Sequence, residues 1–143
     1  MSYPSANRWE HLPHGADIGV RGYGDSKAAA FEQAALAMTA IMADLAAITP
    51  HVEVTISCTA PDDELLLVDW LNALLYEMAT RQLVFSNFQV HIEDHCLQAK
   101  VRGEAINPRK HPLGVEVKGA TYTELHVRQQ SDGTWLAQCV VDV

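Results

Sequence analysis

Periodicity places this chain in the α+β class. Two stretches of helical spacing flank one strand-like run, and after residue 81 the pattern becomes an apolar–polar alternation broken by short turns. The order β-β-α-β-α followed by five strands is the α+β pattern. Short turns between consecutive strands favour antiparallel pairing. The expected architecture is two helices packed on one face of a largely antiparallel sheet. A length of 143 residues fits one domain over 1–143, with 1–7 loose.

Each element has its own signal. Residues 9–12 and 17–23 read as short strands, the second ending in Gly22-Tyr23-Gly24. Asp25 or Ser26 suits the cap of a helix running to about Leu45. Its apolar face is Phe31, Ala35, Met38, Met42 and Leu45. Thr49-Pro50 ends that pattern. Val52, Val54 and Ile56 then alternate with Glu53, Thr55 and Ser57, as in a half-buried strand. Pro61-Asp62-Asp63-Glu64 opens the second helix, with proline in its first turn and carboxylates at the positive end of its dipole. Leu67, Trp70, Leu71, Leu74, Leu75 and Met78 give it a wide apolar face.

Residues 84–92 and 96–103 read as strands joined at Glu93-Asp94-His95. A polar loop, 107–112, follows. Residues 115–118, 121–129 and 135–143 read as three more strands, with Ser131-Asp132-Gly133 as a hairpin turn.

Composition narrows the function. Hydrophobic residues make up 48% and charged residues 20%, which is ordinary globular make-up. No apolar run is long enough to span a membrane, and the opening Met1-Ser2-Tyr3-Pro4 lacks a signal pattern, so the cytoplasm is the expected location. Three cysteines, Cys58, Cys96 and Cys139, with no C-x-x-C pair, encode neither a disulfide framework nor a zinc ribbon. The net charge is -8, and no Lys or Arg occurs from Ala28 to Thr80. A duplex binder shows the reverse, a basic footprint. The late bases Lys100, Arg102, Arg109, Lys110 and Lys118 lack interleaved aromatic residues, so a solvated face is favoured over a single-strand groove. In the acidic block, Asp62, Asp63 and Glu64 serve a helix start. Glu32, Asp69 and Glu77 are expected on solvated faces, available for docking on a basic partner.

Familiar catalytic signatures are absent: no G-x-x-x-x-G-K-[ST], no G-x-S-x-G and no H-E-x-x-H. Gly19, Gly22 and Gly24 form a loose G-x-x-G-x-G, and a turn accounts for the last two. His11 and His14 flank Pro13, and for His11 the structural reading is favoured. Asp17, between Ala16 and Ile18, suits a turn. At the other end, Val140-Val141-Asp142-Val143 brings two adjacent carboxylates, the Asp142 side chain and the Val143 α-carboxylate. Like charges so close repel unless a cation or a basic group sits between them, and a hard cation prefers oxygen ligands. On the residues alone, a frayed terminus is favoured.

These same residues carry a family pattern. His14-Gly15-Ala16-Asp17-Ile18-Gly19 resembles the His-Thr-Ala-Asp-Ile-Gly opening of archease proteins. Leu67-Val68-Asp69-Trp70-Leu71-Asn72-Ala73-Leu74-Leu75-Tyr76 looks like their second-helix segment, and Val117-Lys118-Gly119-Ala120-Thr121-Tyr122 like their Val-Lys-Ala-x-Thr-Tyr block. The run from Trp135 to the final Val-Asp-Val is similar to their last strand. One departure stands in the opening motif: Gly15 replaces the usual Thr, which removes a hydroxyl and leaves the Asp.

The resemblance implies an archease-like fold and an accessory role. Archeases promote GTP-dependent guanylylation and multiple turnover of the RNA ligase that joins 3′-phosphate and 5′-hydroxyl ends in tRNA splicing or RNA repair. They catalyse no step alone. It also implies a divalent cation, calcium first and Mn²⁺ or Mg²⁺ as alternatives, held by Asp17, Asp142 and the Val143 carboxylate. Lys118 is implied in ligase activation, while His14 and His111 match family positions without an assigned role. Two other classes stay open: a metal-dependent hydrolase using Asp17 and Asp142 with His14 as base, and a general chaperone or binding module. Turnover by the isolated protein marks the first, and capture of varied unfolded clients the second.

Overall fold

The computed structural model describes residues 6–112 and 114–143. The expected loose opening at 1–5 lies outside the described residues. Ala6 and Asn7 are tied down instead: the Ala6 N–H reaches Asp25 Oδ1, and the Asp25 N–H donates to Asn7 Oδ1.

The chain folds as α+β, with every strand pairing antiparallel. The strands are β1 (Arg8–His14), β2 (Asp17–Gly24), β3 (Val52–Thr59), β4 (Leu83–Glu93), β5 (Cys96–Ala105), β6 (Gly119–Ala120), β7 (His126–Gln129) and β8 (Trp135–Asp142). The helices are α1 (Lys27–Met42) and α2 (Asp63–Arg81). The strands divide into two sheets. One has the order β1-β2-β8-β6, with β7 also on β8, and the other has the order β3-β5-β4. Thus β8 is interior, flanked by β2 on one side and by β7 and β6 on the other.

Both helices begin where side chains satisfy their orphan donors. Ser26 Oγ accepts from the Ala29 N–H at 3.0 Å, so Ser26 and not Asp25 caps α1. Asp62 Oδ1 accepts from the Leu65 N–H at 2.8 Å, so Pro61 stands just before the cap and not in the first turn. α1 ends at Met42, short of Leu45, which opens a separate 3₁₀ turn capped by Asp44.

α1 lies between the two sheets. On one side His11 Nε2–H of β1 donates to the Ala37 carbonyl at 2.6 Å. On the other, Glu32 Oε2 accepts from the Val90 N–H of β4 at 2.8 Å. Glu32 is therefore a half-buried tether and not a residue of the solvated face, and burial raises its carboxyl above the usual range while the Val90 N–H pulls it down. The placement also corrects the reading of two glycines. Gly22 and Gly24 lie within β2, where a Cβ would stand 2.3 Å from the Ala30 carbonyl oxygen and 2.5 Å from the Ala30 nitrogen. They admit the backbone of α1, whose alanine-rich surface (Ala29, Ala30, Ala34, Ala37) is buried.

Phe31, Met38, Leu67, Trp70, Leu71, Leu74 and Phe85 belong to one continuous core of α1, α2 and both sheets. Complete burial of each such side chain contributes about 1.5–3 kcal/mol. Trp70 joins the helices directly, its indole N–H donating to the Phe31 carbonyl at 3.1 Å.

Two expected strands are mostly absent. Residues 115–118 are irregular, because the Gly114 and Val115 N–H groups turn to the Met42 and Ile41 carbonyls at the end of α1. Residues 121–125 cross over without pairing as a strand, and only His126–Gln129 joins β8. The Asp94-His95 turn holds, both residues having positive φ, 49° and 58°, as a type I′ hairpin needs.

Candidate metal centre

The sheet end beyond β8 is built from four segments. The β1–β2 hairpin turns through Gly15-Ala16, with Gly15 at φ 59°, a backbone state that glycine adopts at low cost. His14 and Asp17 close that hairpin as a cross-strand pair. Ile18 pairs with Val141, so the next step outward sets Asp17 beside Asp142. The Val143 N–H donates to Asp17 Oδ1 at 3.2 Å. On the far side of β8, Gly119 pairs with Asp142, and the Lys118 N–H donates to the Asp142 carbonyl at 2.8 Å. Asp17, Lys118 and the adjacent pair Asp142-Val143 are far apart in sequence and meet here.

The terminal strand does not fray. Ordered pairing on both flanks of β8 supplies the backbone partners that a chain end usually lacks. Val141 is fully buried, while Asp142 is exposed and Asp17 half-buried. Among the described residues, no Lys, Arg or His forms an ion pair with Asp17 or Asp142.

The donor set suits a hard cation: two carboxylates, with a third where an α-carboxylate follows Val143. Among the described residues, no three His, Cys, Asp or Glu side chains gather as a metal-binding group. The third donor of the expected set is not a side chain.

The histidines separate. In a strand, positions 11 and 14 face opposite ways. His11 turns to α1, as its structural reading requires. His14 stays exposed at the hairpin end next to Asp17. His111 belongs to another cluster. It is buried, its Nδ1 accepts from the Asn107 N–H at 3.0 Å, and its Nε2–H faces Glu104 Oε2 at 3.2 Å. Glu104 also accepts from Lys110 Nζ and from the Thr49 N–H. The Lys110 bond first, then the Thr49 N–H, hold its carboxyl down to about 2.

Cys58 and Cys139 read as structural. Burial pushes the Cys139 thiol up to about 12, and burial with the nearby Asp69 charge raises Cys58. A thiol held protonated is a poor nucleophile. The late bases do not form one patch: Arg102 bonds Glu53, Asn87 and Gln89, while Lys110 is held by Glu104.

Sequence reasoning missed a polar ladder across the outer face. Arg21 Nε donates to Gln138 Oε1 at 2.6 Å, and its Nη1 donates to Glu10 Oε1 at 2.8 Å. Cross-strand register brings them together, and period-two spacing within each strand was the available signal. A cavity of about 390 Å³ elsewhere is lined mainly by apolar side chains, including Met42, Leu75, Met78, Val84 and Val117, and holds no catalytic constellation.

Fold and site together define a class: a small α+β protein with a carboxylate-bearing strand end. The Archease protein family (MTH1598/TM1083) matches residues 9–143. The chain is 41% identical to protein archease of Pyrococcus furiosus over 140 residues, spanning 95% of this chain and 99% of that one. It is 38% identical to protein archease of Methanosarcina mazei over 141 residues, spanning 95% and 96%. The solution structure of Methanobacterium thermoautotrophicum protein 1598 aligns with a TM-score of 0.82 at 32% identity, covering 94% of this chain and 98% of that one. This chain belongs to the archease family.

Proposed function

We infer that this protein is a cation-binding accessory factor, not itself an enzyme. In this reading it activates a 3′-phosphate/5′-hydroxyl RNA ligase by promoting its guanylylation by GTP and its repeated turnover, in tRNA splicing or RNA repair. The observation that carries the reading is the Asp17 carboxylate, tied to the Val143 N–H and set beside Asp142 with no basic partner among the described residues. Like charges gathered there call for a cation. Asp17, Asp142 and an α-carboxylate on Val143 would hold it, and Ca²⁺ suits their irregular oxygen geometry best, with Mn²⁺ and Mg²⁺ as alternatives. A bound divalent ion would supply positive charge at the tip of the sheet.

The chain's own residues do the rest. Asp17 fixes the last residue of β8's run, and the exposed Lys118 stands beside it, presented to a partner. Contact is with the ligase protein and not with RNA, since Arg102 and Lys110 already pair with carboxylates. Among the described residues, no helix is long and apolar enough to cross a membrane, and we assign the protein to the cytoplasm with its ligase.

The test is a guanylylation assay. Purified cognate ligase is incubated with GTP, with and without this protein, and covalently bound guanylate is counted. Stimulation that disappears with Asp17→Ala is expected. An unchanged yield of guanylylated ligase in the presence of the folded protein would overturn the reading.

A further inference from the structure

Two residues of backbone make a weak strand, yet β6 carries much of the order at the sheet end. Ala120 pairs with Val141 and Gly119 with Asp142, and Lys118 follows directly, its N–H on the Asp142 carbonyl. The other edge of β6 faces α2. There one side chain takes the place of a neighbouring strand. The Ala120 N–H donates to Asn72 Oδ1 at 2.9 Å, and Asn72 Nδ2 donates to the Ala120 carbonyl at 3.5 Å. A carboxamide offers one acceptor and two donors, so a single Asn can imitate the peptide group of a missing strand.

The surroundings single out Asn72. In the segment from Leu67 to Tyr76, the residues Leu67, Trp70, Leu71 and Leu74 all point into the core. Asn is a mediocre helix former, so intrinsic propensity does not account for it in mid-helix. Its amide goes to the sheet edge.

We propose that Asn72 is a positioning residue for the Asp17–Asp142–Lys118 end: an amide clasp by which α2 fixes β6 and, through β6, the placement of Asp142 and Lys118. The proposal rests on reading that end as a cation site. The route is short and continuous, running from Asn72 to Ala120, along β6 to the Asp142 backbone, and from Val143 to Asp17. The clasp touches neither the cation nor the ligase, and it acts by holding the donors in register. Outer-shell partners of this kind change metal affinity by about 10–100-fold when removed.

The test pairs two variants of Asn72 with one of Asp17. Asn72→Ala removes the amide and favours the helix. Asn72→Leu removes it while keeping similar bulk, and it decides the matter where the first variant fails to fold. Amide hydrogen exchange at Ala120 and Lys118 reads the clasp, and calorimetric titration with Ca²⁺ reads the site. The expected result is faster exchange at both amides, with core amides unchanged, and Ca²⁺ affinity about tenfold weaker. Wild-type affinity in the folded variants, alongside lost binding in Asp17→Ala, overturns the clasp and spares the cation site. Wild-type affinity in Asp17→Ala overturns the cation site, and the clasp's role with it.

Discussion

Two carboxylate-bearing regions of this molecule are built on opposite principles. Around Glu104, every charge has an answer: Lys110, the Thr49 N–H and the buried His111 all converge on one carboxylate. Beyond β8, among the described residues, Asp17 receives only the Val143 N–H and neither Asp142 nor Lys118 forms an ion pair. The first region spends its electrostatics on folding a loop. The second leaves its electrostatics for something from outside. A carboxylate's role is legible in what neutralises it.

The largest expected effect separates these regions by function. Asp17→Ala or Asp142→Ala abolishes stimulation of ligase guanylylation with little change in the thermal midpoint, and a melt run beside the assay checks both halves. A carboxylate at Glu104 replaced by Gln does the reverse, shifting the melt and sparing stimulation.

Next comes the third oxygen donor. Extending the chain beyond Val143 converts an α-carboxylate into an amide, so Ca²⁺ affinity falls. Calorimetric titration showing equal affinity would remove Val143 from the ligand set.

A smaller effect belongs to the closed cluster. His111→Ala removes the acceptor of the Asn107 N–H, a part-buried bond, at a cost of about 0.5–1.5 kcal/mol of stability. Denaturant titration measures that cost, and Ca²⁺ affinity stays at the wild-type value. Glu104 adds a pH signature. Its folded carboxyl is held at about 2, below the ordinary value of 4.5. Its stabilisation is therefore present above pH 4.5 and is lost as pH falls toward 2. Melting points from pH 6 down to about 2 should slope less in Glu104→Gln.

The smallest effect concerns docking. Glu32 drops out of that idea, because it is a tether to Val90, and Glu77 pairs with Arg81. Asp69 remains exposed. Asp69→Lys should slow association with the ligase by a modest, salt-dependent factor, read by stopped flow at two ionic strengths. Equal rates at both would leave the acidic block as a solubility feature.

What the sequence made legible was local. Ser26 and Asp62 announce helix starts because a cap is satisfied within three residues. The Asp94-His95 and Ser131–Gly133 turns declare themselves in the same way. What stayed hidden depended on distant partners. Residues 115–118 alternate like a strand, yet their neighbours turn to the last carbonyls of α1, which local pattern does not register. Gly22 and Gly24 resemble turn residues until α1 is laid across them. At the sheet end, the identities of Asp17 and Asp142 came from resemblance to a family. Their adjacency is a matter of register between β2 and β8, and no spacing along the chain encodes it. The Asn72 clasp was hidden for the same reason.

The interior position of β8 also sets the order in which this protein can assemble. β1 and β2 leave the ribosome before β8, and Arg21 meets Gln138 only after another 117 positions have been made. Until then one edge of β2 is open, and α1 has a two-stranded ribbon to rest on in place of a sheet. Contacts of such long sequence separation slow folding and leave strand edges available for wrong partners. The sheet that carries Asp17 and Asp142 is thus closed only once β8 is made, and the site comes into being with that strand.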